Sequence, residues 1–301
     1  MKNLSLYRIL IAPVIISAII IYIAFYSIGV VEKHMAADAA SEHLNTLIMN
    51  IKEDRGEYEH MRSDLCSEYE LRAQALSILI SQLPKTLIED MTSEELRIAS
   101  GADEIMITDR SGLVIFSTTP ESKAEYADER FIEGLTQKSY CNTVTDESNG
   151  HTIFQTAVSR RNETGLIIAV FSSKVLDEIS EYADASLTLR RSPSFGNGIT
   201  AMVNTATGRF TAHGNENLVG SECIIPAEKF KKHDGYFSFR YAHDPSFVFY
   251  EYFDDSRVLI SIVSKEYVYT KRTLVLIWLI VLDFTVILTC FLSTRSYRKN
   301  N

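Results

Sequence analysis

Two apolar stretches of membrane-spanning length, one near each end, constrain this 301-residue chain more than any other feature. Residues 9–31 hold no Asp, Glu, Lys or Arg over 23 positions, and residues 273–294 hold only Asp283 among 22. At about 1.5 Å of rise per residue, each covers a hydrocarbon core of about 30 Å. Lys2 and Arg8 precede the first stretch, and Arg295, Arg298 and Lys299 follow the second. Cations beside short tails favour the cytoplasmic side. The sequence therefore predicts a two-pass membrane protein with residues 1–8 and 295–301 in the cytoplasm and 32–272 outside. A cleaved signal peptide is the rival for the first stretch, but the run is longer than a usual apolar signal region. Its best small-x-small site, Ala37-Asp38-Ala39, also lies beyond charged Glu32 and Lys33. A buried core helix is the rival for the second, yet residues 274–282 are apolar on every face, whereas a domain helix keeps a polar one.

With the five tail cations and Asp283 set aside, 25 Lys and Arg face 38 Asp and Glu, a net charge of −13 outside the membrane. Such a surface repels phosphate backbones and excludes nucleic acid as a partner. Three cysteines, Cys66, Cys141 and Cys223, fall outside the spans, and Cys290 falls inside the second. An odd number without close spacing is neither a disulfide framework nor a zinc site. At most one bridge can form; free buried thiols are the expectation.

Beyond the first span, apolar residues recur at Leu44, Leu47, Ile51, Tyr58, Met61, Leu65, Tyr69, Leu76, Leu79 and Leu83. Intervals of three, four and seven predict one long helix over 32–84 with a single buried face. Pro84 ends it, and Gly56 is a candidate interruption. A rod joined directly to a membrane helix can carry a displacement into the bilayer.

The periodicity then changes to that of strands, and the pattern occurs twice. Residues 104–109 and 113–118 form a hairpin around Arg110-Ser111-Gly112, and 199–204 pairs with 209–213 around Thr205-Ala206-Thr207-Gly208. Each first strand ends in Asp or Asn and each turn closes on Gly, where local side-chain bonding and positive φ are needed. Further strands follow at 139–145, 151–159 and 165–171, then at 235–240, 247–252 and 258–263, with a joining helix around 173–182. The fold expected is α+β: two tandem PAS-like antiparallel-sheet modules, 85–183 and 184–272, on a long N-terminal helix, flanked by transmembrane helices at 9–31 and 273–294.

The order of these segments resembles the extracytoplasmic double Cache sensor domains of bacterial membrane receptors. The likeness covers nearly all of 32–292. It rests on the anchor, the long helix, Asp109-Arg110-Ser111-Gly112, Asn204-Thr205-Ala206-Thr207-Gly208, His213 with Asn215 through Gly220, and the closing strand 165–170. The resemblance implies a bacterial plasma-membrane receptor whose module farther from the membrane binds a small ligand and whose nearer module connects to the exit helix. Amine- and amino-acid-binding members carry an Arg followed by Trp-Tyr, then a Tyr-x-Asp before a Gly turn. Arg130 stands for that Arg, and Asp146, four residues before Gly150, for that Asp; Ile132, Glu133 and Val144 replace the aromatics. Tyr140, Phe154 and Gln155 could line the same pocket, with sheet core the competing role for Phe154. An ordinary solvated pair is the competing role for Arg130 and Asp146.

No catalytic constellation is present. The histidines, at 34, 43, 60, 151, 213, 233 and 243, form no His-Glu-x-x-His run, and no nucleophile elbow or phosphate loop occurs. No enzyme activity, metal or cofactor is expected, and Asp254-Asp255 near Glu251 reads as a hairpin turn. Related receptors continue into an output module, whereas seven residues, 295–301, follow here. Either the chain is the sensor part of a longer kinase, cyclase, phosphatase or chemotaxis receptor, or its signal passes laterally to a homodimer mate or another membrane protein. Asp283 is the candidate for such a helix contact, because an ionisable group in a span faces a partner or cavity. A membrane-anchored scaffold without a small ligand is the alternative function.

Overall fold

The computed structural model describes residues 2–82, 93–119, 125–134, 139–145, 151–231 and 234–300. The chain divides into two units, Lys52–Asp184 and Met1–Ile51 with Ala185–Asn301. Helix α1 (Lys2–Gln82) supplies residues to both. It is unbroken: Gly56 lies on an exposed face with nothing within 4 Å of where a Cβ would stand. Leu83 and Pro84, expected at its end, lie outside the described residues.

In the Lys52–Asp184 unit, α2 (Ser93–Ser100) precedes β1 (Glu104–Thr108) and β2 (Val114–Ser117). Helix α3 (Glu129–Gly134), β3 (Ser139–Thr145), β4 (Thr152–Ser159), β5 (Leu166–Ser172) and α4 (Lys174–Ser180) follow. The five strands form one antiparallel sheet in the order β2-β1-β5-β4-β3. One face packs on Tyr69, Ala73, Leu76 and Ile80 of α1, with Leu96 and Leu176, around Phe154 and Phe171. The other carries a smaller cluster of Phe131, Ala157, Leu166 and Ile168. Burial on both faces explains why β5 reads as a continuous apolar run rather than an alternating one. The stripe on α1 is displaced at one point: Ile80 is buried at 5 % exposure, whereas Leu79 is 39 % exposed. Four residues from Leu76 keep Ile80 on the packed face, and three swing Leu79 to its margin.

A disulfide joins Cys66 of α1 to Cys141 of β3, with 6.0 Å between their Cα atoms. The expectation of free thiols is thus corrected at these two positions, and Cys223 alone is a free buried cysteine among the described residues. Cys66 sits beside Leu65 on the packed face of α1, and the alternation of β3 turns Cys141 toward the same cluster. A sequence separation of 75 residues hides this proximity.

The second unit repeats the plan. Helix α5 (Ala185–Arg191) leads to β6 (Ile199–Asn204), β7 (Arg209–His213), β8 (Gly235–Tyr241), β9 (Asp244–Tyr252) and β10 (Arg257–Ser264), in the order β7-β6-β10-β9-β8. Ala40, Leu44, Leu47, Ile48 and Ile51 of α1 cover one face, against Met202, Phe249 and Leu259. Phe210, Phe230, Val248 and Ile260 lie in the cluster on the other. The hairpin repeat is also one of detail. Asp109 Oδ1 accepts from Ser111 N at 2.8 Å and Leu113 N at 3.0 Å, and Asn204 Oδ1 accepts from Ala206 N at 2.9 Å and Thr207 N at 3.0 Å. Gly112 and Gly208, at φ +86° and +67°, close these turns. After β10, α6 (Lys265–Val268) leads straight into α7 (Thr270–Asn300). The N-terminal part of α1 and the helix α7 are both long and apolar enough to cross a membrane.

Candidate functional site

Helix α3 opens at Asp128, whose Oδ1 accepts from Arg130 N at 3.0 Å. The same carboxylate takes the Arg130 guanidinium as a fork, with Nε at 3.0 Å from both oxygens and Nη2 at 2.5 Å from Oδ2. Arg130 is therefore paired with Asp128, two residues away, and Asp146 lies outside the described residues. The side-chain hydrogen bonds of Arg130, then its backbone N–H, hold the Asp128 carboxyl at about 2. Arg130 in turn is pushed up, chiefly by Asp128 and to a lesser degree by Tyr140.

Tyr140 of β3 is half-buried and meets Phe131 edge-on at 5.8 Å between ring centroids. Pairing of Tyr140 with Ala157 and of Asn142 with Gln155 puts Tyr140, Asn142 and Gln155 on one face of the sheet. Phe154 does not join them. It is fully buried on the opposite face, 5.0 Å from the Tyr69 ring, so it belongs to the core against α1. The structure thus brings Arg130, Tyr140 and Gln155 to one side of the first sheet, together with Phe131. A cation, a phenol, an amide and an apolar wall are donors and surface suited to a small anionic or zwitterionic ligand. Sequence reasoning missed Asp128, although an Asp two residues before an Arg at a helix start is a visible capping signal.

A concavity of about 290 Å³ lies in the unit that holds the second sheet. His34, Asp38 and Ser41 of α1 line it, with Asp234, Tyr236 and Glu251 opposite. The spacing of four and three puts the α1 residues on one helix face. Ser41 Oγ donates to Glu251 Oε2 at 3.2 Å. Burial, then the negative charge of Asp234, pushes the Glu251 carboxyl up, against hydrogen bonds from Ser41 and Asn45. Among the described residues no group of three His, Cys, Asp or Glu is placed to hold a metal ion.

Other singled-out residues hold structure in place. Asp254 accepts from Ser256 N at 3.0 Å and Arg257 N at 2.8 Å, and takes Arg257 Nε at 2.7 Å. Burial would raise its carboxyl, but Arg257 and Ser256 outweigh that and set it at about 2. His213 is 6 % exposed, and its Nδ1 accepts from Asn215 N at 2.8 Å, so the proton of the neutral ring is on Nε2. Between the apolar helices, Asp283 accepts a hydrogen bond from Ser17. Nearer the second sheet, Glu32 Oε1 accepts from Arg272 N at 2.8 Å, in the first turn of α7. The Arg272 guanidinium stacks on Tyr269 at 3.9 Å and Phe25 at 4.2 Å.

No family model matches the chain, and no curated protein matches it. Solved structures do. The sensory domain of the Campylobacter jejuni chemoreceptor Tlp3 with isoleucine bound is 14 % identical, over 77 % of this chain and 97 % of that one, with a TM-score of 0.37. The ligand-binding domain of the Pseudomonas aeruginosa PAO1 amino acid chemoreceptor PctC in complex with GABA is 14 % identical over 75 % and 99 %, with a TM-score of 0.31. The periplasmic domain of RsbU from Chlamydia trachomatis is 9 % identical over 78 % and 98 %, with a TM-score of 0.36. Each of these likenesses covers three quarters or more of this chain.

Proposed function

We propose that the chain is a membrane-anchored, extracytoplasmic sensory protein of the double Cache kind. A small ligand binds its first sheet module beside Arg130, Tyr140 and Gln155, and the bound state is relayed through the membrane helices. The observation that carries this is the unbroken α1, which packs Tyr69, Ala73, Leu76 and Ile80 into the first sheet's core and is the same helix as the first apolar span. The repeated strand order supports two modules of one kind, and the direct run from β10 through α6 into α7 supplies an exit helix without a flexible linker. The tail cations support a topology with both termini in the cytoplasm. The Cys66–Cys141 disulfide suits the oxidising side of a bacterial plasma membrane. Binding alone does not signal; the ligand must favour one of two conformations.

The test is a thermal-shift screen of the full chain in lipid nanodiscs against carboxylates, amines, amino acids, sugars and purines. A ligand at about a hundred times its dissociation constant stabilises its unit by about 2.7 kcal/mol, a shift of several degrees. The expected result is a hit abolished by Arg130→Ala or Gln155→Ala. The fork to Asp128 already satisfies part of the Arg130 guanidinium, which favours a scaffold without a small ligand as the second function. A well-folded protein with no hit supports that one.

A further inference from the structure

The disulfide is the one covalent link between α1 and a strand among the described residues, and the strand it holds carries Tyr140 and Asn142. β3 ends the sheet order and pairs along one side only, with β4, from Ser139↔Val158 to Thr145↔Thr152. Strand alternation places Cys141 on the α1 face and its two neighbours on the opposite one. A displacement of Tyr140 or Asn142 away from the core therefore pulls on α1 through about two side-chain lengths of covalent bonds. Without the bridge, the same displacement has only packing contacts to act through.

The three cysteines outside the apolar spans differ in reach. Cys66 and Cys141 are half-buried, so a small thiol can approach the bridge, whereas Cys223 is 8 % exposed and burial pushes its thiol up. Only the thiolate is reactive, which leaves Cys223 inert under conditions that open the bridge.

We propose that Cys66–Cys141 is a thiol–disulfide exchange site whose oxidation state sets whether β3 is coupled to the signalling helix. The co-reactant is a dithiol. One of its thiolates attacks a bridge sulfur, forming a mixed disulfide and releasing the other cysteine as thiolate, which takes up a proton. The second dithiol sulfur then attacks the mixed disulfide, releases the remaining cysteine and closes the reductant's own disulfide. Two electrons pass to the protein, which gains two thiols. Oxidised, the strand and α1 move as one; reduced, β3 is held by its pairing to β4 and by side-chain packing, with no covalent tie to α1. This rests on the sensory role proposed above, which it supplies with a redox input.

The test is amide hydrogen exchange, read by mass spectrometry, on the full chain in nanodiscs with and without dithiothreitol. Reduction is expected to speed exchange at least about tenfold over 139–145 and over the adjoining turns of α1, with the β4 amides that donate to β3 following, while β5 and β1 change by less than about twofold. The Cys66→Ser/Cys141→Ser double variant should show the reduced pattern without reductant and no response to it. An even rise across the whole unit would make the bridge a stabilising staple only and overturn the switch. So would no change on reduction, or a dithiothreitol response in the double variant. Should the double variant fail to fold, the wild-type comparison decides alone. No ligand enters this experiment, so its failure and that of the sensory role are told apart.

Discussion

At Glu251 the structure leaves a carboxylate partly desolvated and next to Asp234, a like charge, with Ser41 as its hydrogen-bond donor at 3.2 Å. Its folded-state pKa is therefore raised, and the direction of the pH effect follows. Below the unfolded value of about 4.3, Glu251 is protonated in both states; as pH rises through the folded pKa, the folded state must ionise a group that the unfolded state ionises more easily. The charge thus costs stability at neutral pH. Glu251→Gln should raise the melting temperature of the second unit by about 2 °C at pH 7, and the difference from wild type should close by about pH 4. An equal or lower melting temperature at pH 7 would contradict this. Asp254 is a carboxylate with the opposite environment, held at about 2 because its turn offers donors rather than a like charge. Its turn role was legible from Asp-Asp between two strand-like runs. The Glu251 cavity was not, because its walls come from α1 and from strands about 200 positions later in the chain.

At the scale of elements, the strands were legible because each is a short apolar or alternating run bounded by turn residues. β3, β6 and β7 match the expected bounds, and the others differ by one to three residues at an end. α2, α5 and the edge-facing α3 went unread, since eight, seven and six residues are too short for a 3.6-residue period to stand out. Two glycines separate conformational cost from steric cost. At Gly165 φ is +130°, and a Cβ would stand 2.1 Å from the carbonyl oxygen of Thr108 in the neighbouring strand. At Gly208 φ is +67°, with nothing within 4 Å. Gly208→Ala should cost about 1 kcal/mol for the left-handed backbone alone. Gly165→Ala adds a backbone clash that β1 and β5 cannot relieve without parting, and should cost on the order of 3 kcal/mol in urea unfolding. Equal effects at the two positions would refute the close-approach account.

At the scale of the whole molecule, the candidate site was only partly legible. Arg130, Tyr140 and Gln155 share a face, as a period of two allows, but Phe154 is turned to the core by the same alternation, one residue from Gln155. Cys66 and Cys141 looked unrelated because proximity across 75 residues is set by the fold, not by local pattern. The proposed membrane coupling rests on continuity: α1 is one helix from the apolar span to the core beneath the first sheet, and α7 follows β10 with only α6 between. Trp278 is the sole tryptophan and is 73 % exposed on α7, so its emission reports that helix and nothing else. The most direct test is quenching of Trp278 by brominated lipids in nanodiscs, before and after a ligand found in the screen is added at about a hundred times its dissociation constant. A sensor predicts a change in quenching that Arg130→Ala removes together with binding. Stabilisation of the first sheet unit by the ligand with Trp278 quenching unaltered would contradict the relay through the membrane.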